Sequence, residues 1–280
     1  MKLKYIVAAL GLVASATSFA GIVLPQTTGG GELFLVVFEQ NAPNGGLDQS
    51  FTLDLGVTTS QFTAAKDTNQ VWATLDISTN ADWARFLATS DIPSLQFAVM
   101  GSQSSSTSAT QNVASTVFST VTLGNEGSVV PFPTYPTSQT SNSQLSSMIG
   151  GTMTAYTNNV SNTGTHLTQD NGWSVNAIGS GAYFQDASMS TFNAMLKFSN
   201  SNAVGSAPVT FTSLYRSPSG PGKALQYVEP LMVSFAQSGN QYVLNYGSNA
   251  VAAVPEASGF AMALAGFGML GFAAVRRKQK

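Results

Sequence analysis

Short apolar runs separated by clusters of glycine, asparagine and proline recur along most of this chain, which is the spacing of strands and turns. Glu32 to Gln40 reads Glu-Leu-Phe-Leu-Val-Val-Phe-Glu-Gln, too short for a good helix and rich in branched and aromatic residues. It predicts a buried strand bounded by Gly29-Gly30-Gly31 and Asn44-Gly45-Gly46. Ser50 to Val57 alternates apolar with polar positions, placing Phe51, Leu53 and Leu55 on one face, so a strand pair is expected. Val71 to Ile77 alternates again, with Val71, Ala73, Leu75 and Ile77 opposite Trp72, Thr74 and Asp76. Asn80 reads as the N-cap of a short helix through Leu87, because Trp83, Phe86 and Leu87 share a face at i, i+3 and i+4. Trp72 and Trp83 are expected in the core.

Further strands are predicted at Ser94 to Met100, Met189 to Phe198, Pro208 to Leu214, Leu231 to Gln237 and Gln241 to Tyr246. The last two, split by Ser238-Gly239-Asn240, form the clearest hairpin: Leu231, Val233 and Phe235 share one face of the first arm, and Tyr242, Leu244 and Tyr246 one face of the second. A weakly helical stretch spans Leu145 to Tyr156. Ser102 to Gln111 and Thr134 to Ser147 are polar tracts without apolar period, and the proline-rich segment 131–136 is expected to be extended. Together these predict a mainly β domain, an antiparallel β-sandwich or jelly-roll-like fold with one or two short helices, over residues 21–250. A flexible Ser/Thr-rich insertion is expected near 101–147.

The two ends read differently. Lys2 and Lys4 precede an apolar stretch from Tyr5 to Ala14, and Ser18-Phe19-Ala20 supplies small residues where a signal peptidase cuts, so residues 1–20 read as a signal peptide cleaved between Ala20 and Gly21. At the other end Val254-Pro255-Glu256-Ala257-Ser258 leads into an uncharged run, 259–275, followed by Arg276, Arg277, Lys278, Gln279 and Lys280. That run is at the lower limit of a transmembrane helix, and the basic cluster is what holds a C-terminus on the cytoplasmic side as a stop-transfer signal. The domain between is then tethered outside the cytoplasm.

This tail, 254–280, resembles the PEP-CTERM sorting domain of exported proteins of Gram-negative bacteria. The resemblance implies that Val254, Pro255 and Glu256 form the sorting motif, recognised by an exosortase-like membrane enzyme that removes the helix. It also implies passage from the inner membrane to the cell surface or an exopolysaccharide and biofilm matrix. The second proline of Pro-Glu-Pro is here Ala257, which frees the backbone of Glu256 from the restriction a following proline imposes. Gly266 to Gly271 also fits G-x-G-x-x-G, but the chain continues for too few residues to carry the acid that binds a ribose, and dinucleotide binding is rejected.

Charge and composition narrow the chemistry. Charged residues make up 9% of the chain, so its surface must be polar but largely uncharged. Between Gly21 and Val254 twelve acids face five bases, a net seven negative, which argues against nucleic acid as a partner. Cysteine is absent, which excludes disulfides and thiolate chemistry. His166, the only histidine, lies in the turn-like run Asn162-Thr163-Gly164-Thr165-His166-Leu167, and an exposed side chain is expected; Asp170 is nearby, but no G-x-S-x-G elbow is present. Asp48, Asp54, Asp76, Asp82 and Asp91 read as turn, edge or cap residues rather than a glycosidase pair. Asp67-Thr68-Asn69 is too sparse for a calcium loop. No catalytic, cofactor or metal residue is assigned. The sequence therefore points to a non-catalytic envelope or matrix protein, with a carbohydrate-binding module that uses Trp173 or the tyrosines, or a secreted glycoside-active enzyme anchored by its C-terminal helix, as alternatives. Expected partners are signal peptidase, the exosortase-like enzyme, the membrane and a matrix polysaccharide.

Overall fold

The computed structural model describes residues 22–25, 30–39, 48–104, 115–121, 137–169, 171–184, 202–216 and 222–248. The signal peptide, the tail, the proline-rich segment 131–136 and the strand expected at Met189 to Phe198 lie outside the described residues. Among the described residues no helix is long and apolar enough to cross a membrane.

The strands are β1 (Glu32–Glu39), β2 (Gln49–Thr58), β3 (Gln70–Asp76), β4 (Leu95–Gln103), β5 (Thr116–Val121), β6 (Thr137–Ser141), β7 (Trp173–Ala177), β8 (Asn202–Ala203), β9 (Val209–Tyr215), β10 (Lys223–Ser238) and β11 (Gln241–Gly247). They pair antiparallel throughout. The expected mainly β architecture is present, but the strands join one continuous sheet rather than two facing ones. Its order is β3-β11-β10-β9-β5-β4-β1-β2-β7, with β6 beside β10 and β8 beside β4. The sheet curls into a half-barrel.

Aromatic packing explains the curl. The helix α2 (Ala81–Thr89) begins at Asn80, whose side chain accepts from the Trp83 backbone N–H as the sequence predicts. Trp83 is fully buried, and its ring lies 4.9 Å from Phe51 on β2, 5.1 Å from Tyr242 on β11 and 6.2 Å from Phe235 on β10. Strands far apart in the sheet order therefore meet on one indole, which requires this face to be concave. Phe62, on the short helix α1 (Thr59–Ala65), fills the same interior against Trp72, Phe118, Phe211 and Tyr246. The opposite face carries Phe34, Val36, Phe38, Ala98 and Met100, and is covered by Leu145, Met148, Ile149, Met153, Tyr156 and Val160. Those residues come from a helical run comprising α3 (Asn142–Ser147), a π-helical turn over Met148–Met153 and α4 (Thr154–Ser161). The weakly helical expectation for 145–156 thus marks the lid of a second core.

Three expectations are corrected. First, the stretch read as an insertion contributes β5, which lies between β4 and β9 near the middle of the sheet, together with β6 and α3. Its hydroxyl-rich composition is accommodated at β5 because the Thr120 Oγ1 accepts from the Val99 N–H and the Ser119 carbonyl accepts from the Thr212 hydroxyl. Ser102 and Gln103, placed in a solvent loop by composition, are buried at the end of β4. Second, the strict alternation of β3 fails at a bulge: Val71 pairs with Asn245 and Ala73 with Leu244, leaving Trp72 without a cross-strand partner. The extra residue turns both Trp72 and Leu75 into the core while Val71 is 65% exposed. Third, β10 is much longer than its hairpin arm, and its first half pairs with β6 and β9.

Candidate functional site

The interior of a nearly uncharged protein is an expensive place for a carboxylate, so a buried acid marks a site by itself. Glu229 is such a residue. It lies where β10 departs from its register with β9, between Val228 and Met232, and is followed by Pro230, which cannot donate to a ladder. The irregularity turns the Glu229 carboxylate into the fold, with its side chain 1% exposed.

Four groups meet there. The Ser213 hydroxyl on β9 donates to Glu229 Oε1 at 2.8 Å. Lys66, at the C-terminal end of α1, brings Nζ to 3.5 Å from Glu229 Oε2, an ion pair without a well-directed hydrogen bond. The same ammonium donates to the Tyr227 hydroxyl at 3.1 Å and stands 4.5 Å from the Tyr227 ring centre. The Tyr246 hydroxyl donates to the Lys66 carbonyl at 2.8 Å, fixing the backbone from which the lysine projects. Burial raises the Glu229 carboxyl above its ordinary value, and the Lys66 charge only partly opposes this. Burial alone would lower Lys66, but Glu229 and Tyr227 outweigh it and hold the ammonium above its ordinary value. Burial, with the Glu229 charge added, also pushes the Tyr246 phenol upward. The arrangement stores one proton firmly on lysine and ties α1 to the β10 irregularity. The Ser213 hydroxyl faces the Glu229 carboxylate directly, so the cluster joins α1, β9 and the β10 irregularity as an internal staple.

A second polar site lies on the other face, beside β7. The sequence predicts an exposed His166, but its residue is fully buried in the 3-10 turn Gly164–Leu167. The reason is packing: β2 presents Thr52 on this face, α4 lays Tyr156 over it with its hydroxyl 2.7 Å from the Thr52 hydroxyl, and the turn fills the remaining space. Neither ring nitrogen has a hydrogen-bond partner. Burial lowers the imidazole to about 4, and the Thr52 backbone opposes the fall without forming a well-directed bond. A general base needs the reverse environment.

The weighed acids separate. Asp76 accepts from the Ser78 N–H and from Gln241 Nε2, the turn role expected, and the Ser78 hydroxyl first among these bonds lowers its carboxyl. Asp82 occupies the first turn of α2 and pairs with Arg85 at 2.6 Å. Asp54 is buried and accepts from the Gly56 N–H. Asp91 donates its backbone N–H to Glu39, whose carboxyl is raised by burial and by the charges of Asp48 and Asp91. Asp170 lies outside the described residues. Among the described residues no group of three or more His, Asp or Glu is placed to hold a metal ion.

Trp72 and Trp83 are core residues as expected, whereas Trp173 is half-buried at the sheet edge and donates its indole N–H to Asp82 Oδ2 at 3.1 Å. The residues of the expected targeting signals, Ala20, Gly21, Val254, Pro255, Glu256, Arg276, Arg277, Lys278 and Lys280, all lie outside the described residues. Sequence reasoning missed Lys66, Ser213, Tyr227 and Glu229, although an acid and a proline inside the apolar run Tyr227 to Val233 carried a usable signal. Compared with known proteins, the chain matches no protein-family model, no curated protein and no solved structure.

Proposed function

We propose that this chain is a non-catalytic protein of the cell envelope or extracellular matrix, exported through its N-terminal signal and sorted through its C-terminal tail. The observation that carries the reading is the order Val254-Pro255-Glu256, uncharged run 259–275, then Arg276, Arg277 and Lys278. The fold is compatible with that order. The described strands run from Glu32 to Gly247, between the two expected signals. Ile22, next to the expected cleavage point, is already a core residue. Of the acids weighed for catalysis, Asp76 holds a turn and Asp82 stands in the first turn of α2. In this reading the domain is delivered while tethered to the inner membrane, and an exosortase-like enzyme releases it to the surface.

The test is Glu256→Ala in the full chain, with intact-mass measurement of membrane-bound and surface-released protein. The proposal expects the wild type to be released without its C-terminal helix and the variant to stay in the membrane fraction with the helix attached. Equal release of both sinks it.

A second reading, carbohydrate binding, is favoured by Trp173, the most exposed of the three tryptophans, beside the Asp82–Arg85 pair. It expects matrix-polysaccharide affinity that Trp173→Ala removes. No binding across a broad glycan array would leave the structural role alone.

A further inference from the structure

Among the described residues, side-chain and turn contacts rather than another strand meet the outer side of β7, the last strand in the sheet order. Among the described residues β7 pairs only with β2. The bonds Asp54 N–H to Gly172 O and Ile178 N–H to Asp48 O bracket this pairing, and the antiparallel alternation then turns the N–H and C=O of Trp173, Val175 and Ala177 outward. Two of these positions are occupied. The Thr165 hydroxyl accepts from the Trp173 N–H at 2.8 Å and donates to the Trp173 carbonyl at 3.1 Å, imitating both bonds of a neighbouring strand. The Ala177 carbonyl accepts from the Ser180 N–H at 3.1 Å.

Thr165 owes its position to the residue after it. His166 anchors the Gly164–Leu167 turn by burying its ring with both nitrogens unpartnered. The turn lies directly on the chain leading into β7: a Cβ at Gly172 would stand 2.7 Å from the His166 backbone, and one at Gly164, where φ is +58°, 2.2 Å from the Trp173 carbonyl oxygen. The His166 ring and the Thr165 hydroxyl therefore share one tight turn packed against the entry to β7.

We propose that this turn is an acid-released guard over the outer edge of β7: protonation of His166 drives the ring out of the sheet face and lifts the Thr165 hydroxyl off Trp173. Among the described residues the Thr52 backbone is the group that favours the charged ring, and it forms no well-directed bond to it. The turn itself carries no other charged residue, β7 offers Ser174 and Asn176, and α4 carries no charge. Tyr156 on α4 is neutral, since burial pushes its phenol upward. Asp54, two residues from Thr52 on the same face of β2, directs its Oδ1 to the Gly56 N–H. The imidazole is lowered from 6.5 to about 4 by burial, so the closed turn is favoured above the unfolded value and loses that advantage as pH falls towards the folded one. The opening equilibrium should rise about 30-fold between pH 7.5 and pH 5.

Peptide-resolved hydrogen exchange on the full chain, corrected for the intrinsic pH dependence of exchange, tests this. The Trp173 amide and the 164–168 turn should exchange about 30-fold faster at pH 5 than at pH 7.5, with β1 and β4 unchanged. His166→Phe and His166→Gln should flatten the response, and Thr165→Val should speed Trp173 already at pH 7.5. The proposal is overturned if the acceleration spreads equally to β1 and β4, if the Trp173 amide does not follow the turn, or if either folded His166 variant retains the response. Should neither variant fold, the distribution of acceleration in the wild-type chain decides alone.

Discussion

Replacing Lys66 by methionine removes the cation that faces Glu229 while keeping most of the apolar stem that packs beside Tyr227. The variant leaves a carboxylate whose side chain is 1% exposed, with Ser213 donating to one oxygen and, among the described residues, no hydrogen-bond donor on the other. Removing one partner of a buried pair costs about 3–5 kcal/mol, because the remaining charge keeps its desolvation penalty. Lys66 is 18% exposed, so water stands close to the site and the lower figure, about 3 kcal/mol at pH 7, applies. A loss of that size lowers Tm by about 6–12 °C in a domain of this length.

The sign with pH is also fixed. The Glu229 carboxyl is raised by burial, and losing the ammonium raises it further, so the protonated acid is the form the folded variant tolerates. Stability tied to such a group is present below the unfolded value and lost as pH rises through the folded one. Urea denaturation of Lys66→Met and wild type, compared at the same pH so that His166 contributes equally, should show a deficit that is largest at pH 7 and shrinks towards pH 4.5. Glu229→Gln should cost only about 1 kcal/mol, since the freed lysine can reach solvent and the amide still accepts from Ser213. A Lys66→Met deficit below about 1 kcal/mol at pH 7, or one that grows on acidification, would refute the staple.

Trp83→Ala should cost about 3–5 kcal/mol by calorimetry, because the indole joins Phe51, Phe235 and Tyr242 across the concave face. An unchanged transition would mean that these strands do not meet there. Asn80→Ala should lose about 1 kcal/mol in urea titration through the missing cap on the Trp83 N–H, and Asn80→Ser should lose less. Gly56→Ala should cost about 2 kcal/mol, since φ is +62° and the added Cβ would lie 2.0 Å from Asn171 Oδ1; a neutral thermal-shift result would mean that the register shift of β2 against β1, where Leu33 faces Val57 and Phe34 faces Asp54, does not need the left-handed backbone at Gly56.

Legibility followed the locality of the cause. The β10–β11 hairpin was readable because a two-residue turn with Gly239 at φ +60° sits between period-two arms, and α2 because Asn80 and the Trp83, Phe86, Leu87 stripe are close neighbours. β5 was hidden because Thr-Val-Phe-Ser-Thr-Val resembles the polar tracts around it, and only the flanking strands reveal that its hydroxyls are bonded. The burial of His166 depends on α4 and β2, and the Lys66–Glu229 pair joins residues from α1 and β10. Neither is periodic. The faces of β3 shifted because a bulge inserts one residue opposite a strand near the end of the described chain. The single sheet, in place of a sandwich, follows from Trp83 and Phe62 drawing both of its wings onto one side.

The position of β3 at one border of the sheet also sets an order of events. Its described neighbour is β11, and the bond from Gln241 to Asp76 spans 165 residues. A chain emerging from its N-terminus therefore presents Trp72 and Leu75 long before the strand they dock on exists, in a molecule with no cysteine to clamp an early intermediate. Such non-local closure belongs to the slow, millisecond-to-second class of folding reactions. The chain must stay protected from its neighbours until residue 247 has been delivered.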